Sequence, residues 1–111
     1  MKHVQLFEQF INDQDFVITP KTFKKNKKVL TDVVMQVYEP GVYAPDMGEN
    51  VLNMLVTQLE RGNKSDIESV TLKGQPGRKL NKDSEIYVRT KKGAIYDRGN
   101  LGTPNVLDRL K

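Results

Sequence analysis

An alternation of apolar and polar residues near the C-terminal end of the chain predicts a β-hairpin. Residues 85–90 and 94–98 are rich in β-branched and aromatic side chains, as strands are. Lys91, Lys92 and Gly93 separate them and form a turn signal, because glycine readily adopts the left-handed conformation that a three-residue loop requires. The predicted hairpin therefore has a half-buried body and a basic tip.

The length of the loop sets which residues face each other across the hairpin. A three-residue loop places Val88 opposite Tyr96, and the next pair toward the turn is then Thr90 and Ala94. A two-residue loop would place Val88 opposite Asp97 and turn the apolar side chains to the wrong side, so we predict the three-residue loop. In that register one face carries Ile86, Val88, Ala94 and Tyr96.

Helical periodicity is clearest over residues 47–61, which we predict to be the central helix of the fold. Apolar side chains recur on one helical face at Val51, Leu52, Met54, Leu55, Val56 and Leu59. Asp46 and Glu49 have the spacing of a capping box, in which both side chains accept hydrogen bonds from backbone N–H groups. Gly62 lies where the end of a helix favours glycine.

The stretch from residue 29 to residue 38 fits two patterns. One apolar set has helical spacing and consists of Leu30, Val33, Val34 and Val37. A second set alternates as in a strand and consists of Val29, Thr31, Val33, Met35 and Val37. The β-branched content favours a strand, with a turn near Asn26, and this is our prediction.

Shorter patterns complete the chain. Residues 16–19 predict a strand that lies at an edge or stops at Pro20, and Ile67–Lys73 predicts another, followed by a turn at 74–77. Thr103 can cap a short helix that begins at Pro104. The apolar side of that helix consists of Val106, Leu107 and Leu110.

Residues 1–12 carry apolar side chains at helical spacing and predict a short amphipathic helix that docks either on the rest of the domain or on a partner. The order of the elements predicts a single α+β domain over residues 1–111. Its sheet is mainly antiparallel, the central helix packs on one face, and the terminal helices are short.

The composition permits one core and limits the chemistry. The chain has 111 residues, of which 37% are hydrophobic. Cysteine is absent and His3 is the only histidine, which excludes disulfides, cysteine-ligated zinc, a thiol nucleophile and a histidine-based triad. No glycine-rich phosphate loop has the required spacing. We therefore predict a protein that is not an enzyme, with no cofactor and no metal.

The sequence also predicts a cytoplasmic location. No apolar run in it approaches the length of a membrane span. The N-terminus lacks the basic region, unbroken apolar run and cleavage site of a secretory signal. A membrane partner is therefore not expected.

Basic residues are unevenly distributed in a chain of net charge +4. Residues 61–111 contain 12 lysines and arginines against 6 acidic residues, whereas residues 1–60 contain 6 against 8. Three clusters stand out: Lys21, Lys24, Lys25, Lys27 and Lys28; Lys73, Arg78, Lys79 and Lys82; and Arg89, Lys91, Lys92 and Arg98. Basic side chains near phosphates release counterions, which drives affinity for nucleic acid.

Aromatic residues accompany the basic clusters. An exposed ring can stack on an unpaired base, and because the predicted register buries Tyr96, the candidates are Phe23 and Tyr87. We therefore predict a small basic binding module that contacts nucleic acid or another polyanion, such as an acidic protein surface. The predicted contacts are Lys21, Phe23, Lys24, Lys25, Lys27, Lys28, Arg78, Lys79, Tyr87, Arg89, Lys91 and Lys92. Alternatively, the lysines only keep a small domain soluble and protect strand edges from pairing.

The N-terminal segment resembles a known kind of leader. The chain opens with Met1-Lys2 and continues with the amphipathic motif Leu6-Phe7-Glu8-Gln9-Phe10-Ile11. Both features, and the aliphatic-x-acidic form of Leu6-Phe7-Glu8, resemble the capsid-targeting leaders of small proteins of large, T-even-like tailed bacteriophages. The resemblance implies a phage protein of the host cytoplasm or the virion, whose basic surface faces DNA or acidic partner subunits. An alternative function follows, in which a phage structural or regulatory protein binds further copies of itself or another phage or host protein.

Overall fold

The computed structural model describes residues 15–74, residue 80 and residues 82–110, and it shows an α+β fold. Its elements are β1 (Asp15–Ile18), α1 (Phe23–Val37), α2 (Met47–Glu60), a short 3-10 helix (Gly62–Lys64), β2 (Ile67–Lys73), β3 (Glu85–Thr90), β4 (Ile95–Tyr96), α3 (Arg98–Leu101) and α4 (Pro104–Leu110). The predicted helix over residues 1–12 lies outside the described residues, as do residues 75–77 of the predicted turn.

The strands of the described residues form one antiparallel sheet in the order β1-β2-β3-β4. Strands β2 and β3 pair along their length, from Ile67 opposite Thr90 to Lys73 opposite Glu85. Strand β1 lies at one edge of this sheet and ends before Pro20, which confirms the predicted edge strand. The strand predicted over Ile67–Lys73 is confirmed as well.

One face of the sheet packs against the helices and forms the core. The buried side chains of the strands are Ile18, Ile67, Val70, Leu72, Ile86 and Val88. They join one hydrophobic cluster with the apolar faces of both long helices, which are Leu30, Val33, Val34 and Val37 of α1 and Val51, Met54, Leu55 and Leu59 of α2. The predicted packing of a central helix on one sheet face is confirmed, and α1 shares that layer.

The hairpin has the predicted register. Val88 pairs with Tyr96. The Thr90 N–H donates to the Ala94 carbonyl at 2.9 Å, across a loop in which Gly93 has a φ of 93°. Ala94 is exposed, whereas the prediction buried it, because it belongs to the turn and not to β4.

The second hairpin strand is shorter than predicted because a helix starts where strand character was expected. The Asp97 carboxylate accepts a hydrogen bond from the Asn100 N–H at 3.0 Å and caps α3. Arg98, assigned by sequence to a basic cluster, donates from Nε to the Tyr43 hydroxyl at 2.8 Å and accepts from the Tyr38 hydroxyl at 2.6 Å through its carbonyl. Burial raises the pKa of Tyr38, so this phenol is a neutral donor. Arg98 therefore has a structural role.

Residues 29–37 are part of helix α1, so the predicted strand over 29–38 and the turn near Asn26 are wrong. The buried residues are the helical set, and Met35 of the alternative set is 38% exposed. Each β-branched residue costs a helix only about 0.5 kcal/mol, less than burial of an aliphatic side chain provides. The Thr31 hydroxyl finds a partner within the helix, since it donates to the Lys27 carbonyl at 2.9 Å.

The central helix is confirmed, but its predicted cap is not formed. The Asp46 side chain accepts no capping hydrogen bond, because its backbone is close to helical (φ −103°, ψ 8°) and not extended as a capping residue requires. The Met47 N–H donates instead to the Ala44 carbonyl at 3.1 Å. At the other end, Gly62 adopts a φ of 60°, as predicted for the residue after a helix.

The C-terminal helix begins at Pro104 as predicted, with Val106 and Leu110 buried. It packs against α2, where the fully buried Gln58 links separate parts of the chain. The Gln58 side-chain amide donates to the Leu110 carbonyl and accepts from the Asp66 N–H at 3.3 Å. This amide therefore joins the end of α2 both to α4 and to the chain that enters β2.

We expect Leu30→Ala to lower the free energy of unfolding by about 2–5 kcal/mol, because Leu30 is fully buried in α1 and its loss leaves a cavity. The matched control is Met35→Ala on the exposed side of the same helix, which should change stability by less than about 0.5 kcal/mol. Urea denaturation followed by circular dichroism measures both values. If residues 29–38 formed a strand, Met35 would share the buried face with Val33. Met35→Ala would then be more destabilising than Leu30→Ala.

Candidate nucleic-acid interface

The antiparallel connections bring four segments of the chain to one end of the sheet. Strand β2 begins at this end, so its antiparallel neighbours β1 and β3 both finish there. Helix α1 starts shortly after β1, and the 3-10 helix after α2 leads directly into β2. The hairpin turn follows β3. The start of α1, the end of α2, the start of β2 and the hairpin turn are therefore neighbours.

The start of α1 is strongly basic. All the lysines of the first predicted cluster are exposed, namely Lys21, Lys24, Lys25, Lys27 and Lys28. The first turn of this helix contains no acidic residue, although the helix dipole places partial positive charge there. Lys28 Nζ lies 3.0 Å from the Asp32 carboxylate, but such exposed pairs contribute little to stability. The helix start is therefore a region of concentrated positive charge.

Phe23 does not stack on bases, because it is 4% exposed and belongs to the core. A loop over residues 21–28 would have left this ring accessible among the lysines. In the helix, Phe23 turns toward Leu59 at the end of α2, whereas Lys24 and Lys25 turn outward. The prediction failed because it placed a turn near Asn26, where the chain is already helical.

A groove of about 570 Å³ separates the start of α1 from the end of α2. Lys21, Lys24 and Lys27 line it from the α1 side, and Glu60 and Gly62 line it from the α2 side. The first basic cluster therefore reaches the turn that leads into β2.

The hairpin tip lies on the other side of that same turn. Lys91 Nζ donates to the Asn63 carbonyl at 2.6 Å, and the Lys91 backbone N–H donates to the Asp66 carbonyl at 2.9 Å. Lys91, Lys92 and Arg109 line a cavity of about 440 Å³ together with Asp66. These contacts hold the lysines of the tip beside the C-terminal helix.

The cations that line these two cavities, together with Lys64 of the 3-10 helix, lie at the same end of the sheet, and we call this set the basic rim. It consists of Lys21, Lys24, Lys27, Lys64, Lys91, Lys92 and Arg109. Two acidic residues, Glu60 and Asp66, line the same two cavities. Cations therefore outnumber carboxylates on this end of the sheet. Five of these residues are predicted from the sequence, in two separate clusters. Lys64 and Arg109 are not, because only the fold brings them to this end of the sheet.

The remaining predicted residues lie away from the rim or outside the described structure. Lys25 and Lys28 are exposed on α1, next to the lysines that line the groove. Tyr87 and Arg89 lie on the face of the sheet that is turned away from the helices. Residues 78–79, which are Arg78 and Lys79, lie outside the described residues.

Comparisons with protein-family models, curated proteins and solved structures find no match for this chain. Within the described ranges, none of the helices has both the length and the apolar character needed to cross a bilayer. The same ranges contain no group of three or more histidine, cysteine, aspartate or glutamate residues that could hold a metal ion. The fold and the site thus define a small α+β protein with a basic rim.

We expect Lys24→Glu to raise the free energy of unfolding by about 1 kcal/mol at low salt, because a negative charge in the first turn of α1 is favourable to the helix dipole. Lys24→Gln is the control, since it removes the positive charge without adding a negative one and should give a smaller gain. Both gains should shrink in high salt, which screens exposed charges. Urea denaturation at two salt concentrations measures them, and a loss of stability in Lys24→Glu would contradict the unfavourable charge at this position.

Proposed function

We propose that this chain is a small non-catalytic module that binds nucleic acid or a related polyanion through the basic rim. The observation that supports the proposal is the convergence of cations from four separate segments on one end of the sheet. Among the described residues, Glu60 and Asp66 line the two cavities there, and the exposed Glu68 lies near the start of β2. Lysines that served solubility alone would have no reason to be gathered on one side. The rim instead offers several cations to one extended anionic ligand.

The electrostatics of helix α1 support the same function. Its first turn combines lysines with the positive end of the helix dipole, an arrangement that is unfavourable in the free protein. A phosphate placed there relieves the repulsion and also faces backbone N–H groups at the helix start. Bound polyanion is therefore expected to stabilise the fold as well as to neutralise the rim.

The chemistry of the rim favours contact with phosphates over recognition of base sequence. Lysine is a flexible point charge, and the rim contains six lysines and one arginine. Phosphate contacts position a protein on nucleic acid without reading its sequence. The rim alone is therefore expected to bind without strong sequence preference.

Binding through the rim should weaken steeply with salt, because each neutralised phosphate releases a counterion. If five rim cations contact phosphates of a duplex, the logarithm of the association constant should fall against the logarithm of the salt concentration with a slope of about −4.5. Fluorescence anisotropy of labelled single- and double-stranded oligonucleotides, titrated at low and near-physiological salt, measures this slope. If neither oligonucleotide binds at low salt, the proposal is refuted.

The contribution of the hairpin tip is measured by Lys92→Ala, which should weaken binding about equally for all sequences and reduce the salt slope by about one. The matched control is Lys82→Ala, since Lys82 is also exposed in a turn but precedes β3 at the opposite end of the sheet. The double variant Lys91→Ala/Lys92→Ala should have a larger effect than Lys92→Ala. An equal loss in Lys82→Ala would point to overall charge and not to the rim.

Edge strand β1 supports a second candidate function, interaction with another protein. Within the described part of the chain, β1 pairs only with β2, and Val17 on it is 52% exposed. An edge strand offers backbone groups to a strand from another molecule. We infer that this chain, as a structural or regulatory protein, would assemble with its partner through this edge or through residues 1–12. If the leader resemblance reflects its origin, the assembly would belong to a phage particle.

Sedimentation velocity of the full chain and of a chain lacking residues 1–12 tests this second candidate for self-association. The candidate expects a salt-insensitive oligomer that is lost on deletion, while circular dichroism shows that the shortened chain is folded. A monomer in both cases, or an oligomer that survives the deletion, would count against a role of the N-terminal segment.

A further inference from the structure

The sheet face turned away from the helices carries an aromatic ring between two cations. Along β3, side chains alternate between the core and this outer face, so that Ile86 and Val88 are buried while Tyr87 and Arg89 point outward. Tyr87 is half-buried, Arg89 is exposed, and Lys73 of the neighbouring strand is exposed beside the ring. Tyr87 therefore has two cations, Lys73 and Arg89, as neighbours on this face.

The ring of Tyr87 is held across the surface of the sheet by its neighbours. Its hydroxyl donates to the Glu85 carboxylate at 2.9 Å, and Lys73 Nζ lies 5.6 Å from the ring centroid. The hydrogen bond to Glu85 is the main cause that raises the pKa of Tyr87, so the ring carries no charge at neutral pH. Tyr87 is thus a neutral aromatic surface with a cation within reach.

Small residues opposite Tyr87 leave room for a planar ligand. Thr71 pairs with Tyr87 across the strands, and Ser69 pairs with Arg89. These short side chains, together with Ile95, border a shallow concavity of about 370 Å³ on the outer face. Ile95 is 55% exposed although it is aliphatic, so an apolar surface is available beside the ring.

The outer face leads toward the basic rim. Tyr87, Arg89 and Lys91 alternate along the chain, and because a strand advances about 3.4 Å per residue, Arg89 lies about 7 Å from Tyr87 in the direction of the hairpin turn. Asp15 and Glu85 lie at the opposite end beside Lys73, whereas the exposed Glu68 lies near the start of β2, close in register to Arg89. Arg89 and Lys91 therefore extend the cations of this face from the tyrosine toward the rim.

We propose that the outer sheet face binds unpaired bases, with Tyr87 as the stacking platform, so that the ligand whose phosphates the rim contacts is single-stranded nucleic acid. This inference rests on the proposed function of the rim. Bases of an intact duplex are already stacked on each other, whereas those of a single strand are free to stack on an aromatic side chain. Lys73 and Arg89 flank the ring and meet the phosphates on either side of the stacked base.

The experiment compares how Tyr87→Ala and Tyr87→Phe bind three ligands: a thymidine oligonucleotide, a duplex of equal length and inorganic polyphosphate. The affinity for each ligand is measured directly with a label or by competition. Tyr87→Ala is expected to weaken binding of the thymidine oligonucleotide about tenfold and to leave the duplex and polyphosphate unchanged. Tyr87→Phe keeps the ring and should bind the oligonucleotide like the wild type. Thermal unfolding of each variant verifies that the fold is retained.

A second measurement uses the absence of tryptophan from the chain. In Tyr87→Trp the introduced indole is the only tryptophan, and stacking of a base on it should quench its fluorescence. Quenching is expected with the thymidine oligonucleotide and not with polyphosphate, which has no bases. This readout does not depend on the stability of Tyr87→Ala.

The outcomes separate this inference from the proposed function. If the wild type binds none of the three ligands, both fail. If the wild type binds duplex and polyphosphate, while Tyr87→Ala has no selective effect on the oligonucleotide and Tyr87→Trp is not quenched, the rim binds polyanions and the stacking platform is refuted. Equal weakening of all three ligands by Tyr87→Ala would also overturn the inference, because it would indicate an electrostatic or structural role.

Discussion

The pairing of β2 with β3 is the interaction on which the rest of the structure depends. Its register runs from Ile67 opposite Thr90 to Lys73 opposite Glu85, with one irregularity between Ile67 and Ser69. Because side chains alternate along a strand, this register sends the apolar residues to the helices and leaves Tyr87 on the outer face. A shift of one residue would exchange the two faces. The same pairing sets the hairpin turn beside the start of β2, where the rim is formed.

Hydrogen bonds from a buried amide and from an exposed lysine then connect the helices to the end of the sheet where the cations lie. The amide of Gln58 contacts the Leu110 carbonyl and the Asp66 N–H, and so connects α2, α4 and the chain that enters β2. Lys91 contacts the Asn63 carbonyl across the same turn. Loss of the hydrogen-bond partners of Gln58 would destabilise the fold, because a buried polar group without a partner is costly away from water. The same hydrogen bonds therefore stabilise the fold and position the proposed binding surface.

The concentration of lysines at the start of α1 opposes stability, and the proposed binding of polyanions rests on it. A helix start is more stable with acidic residues, yet Lys24 and Lys25 occupy the first turn here. An anionic ligand is the partner that we propose for that charge. The outer sheet face complements it, since phosphates would meet the rim and bases would meet Tyr87. In this proposal one kind of molecule, single-stranded nucleic acid, contacts both the charged rim and the aromatic face.

The sequence predicted those parts of the fold that depend on neighbouring residues. The hairpin register follows from the length of its loop and from Gly93, and the central helix follows from its apolar stripe and from Gly62. Residues 29–38 were predicted wrongly, because intrinsic preference for strand is weak and is overridden when one apolar stripe packs against another helix. Local pattern describes what a segment prefers, and packing decides between close alternatives.

The candidate site shows the same division. By itself, the sequence determined that the chain has basic clusters, an alternating strand that carries Tyr87 and Arg89, and a lysine-rich hairpin tip. The tertiary structure alone decided that Phe23 is buried, that Arg98 is held by Tyr38 and Tyr43, and that lysines far apart in the chain lie with Arg109 at one end of the sheet. The physical reason is that charge and periodicity are local properties, whereas burial and convergence depend on which segments the sheet pairs and the core packs together.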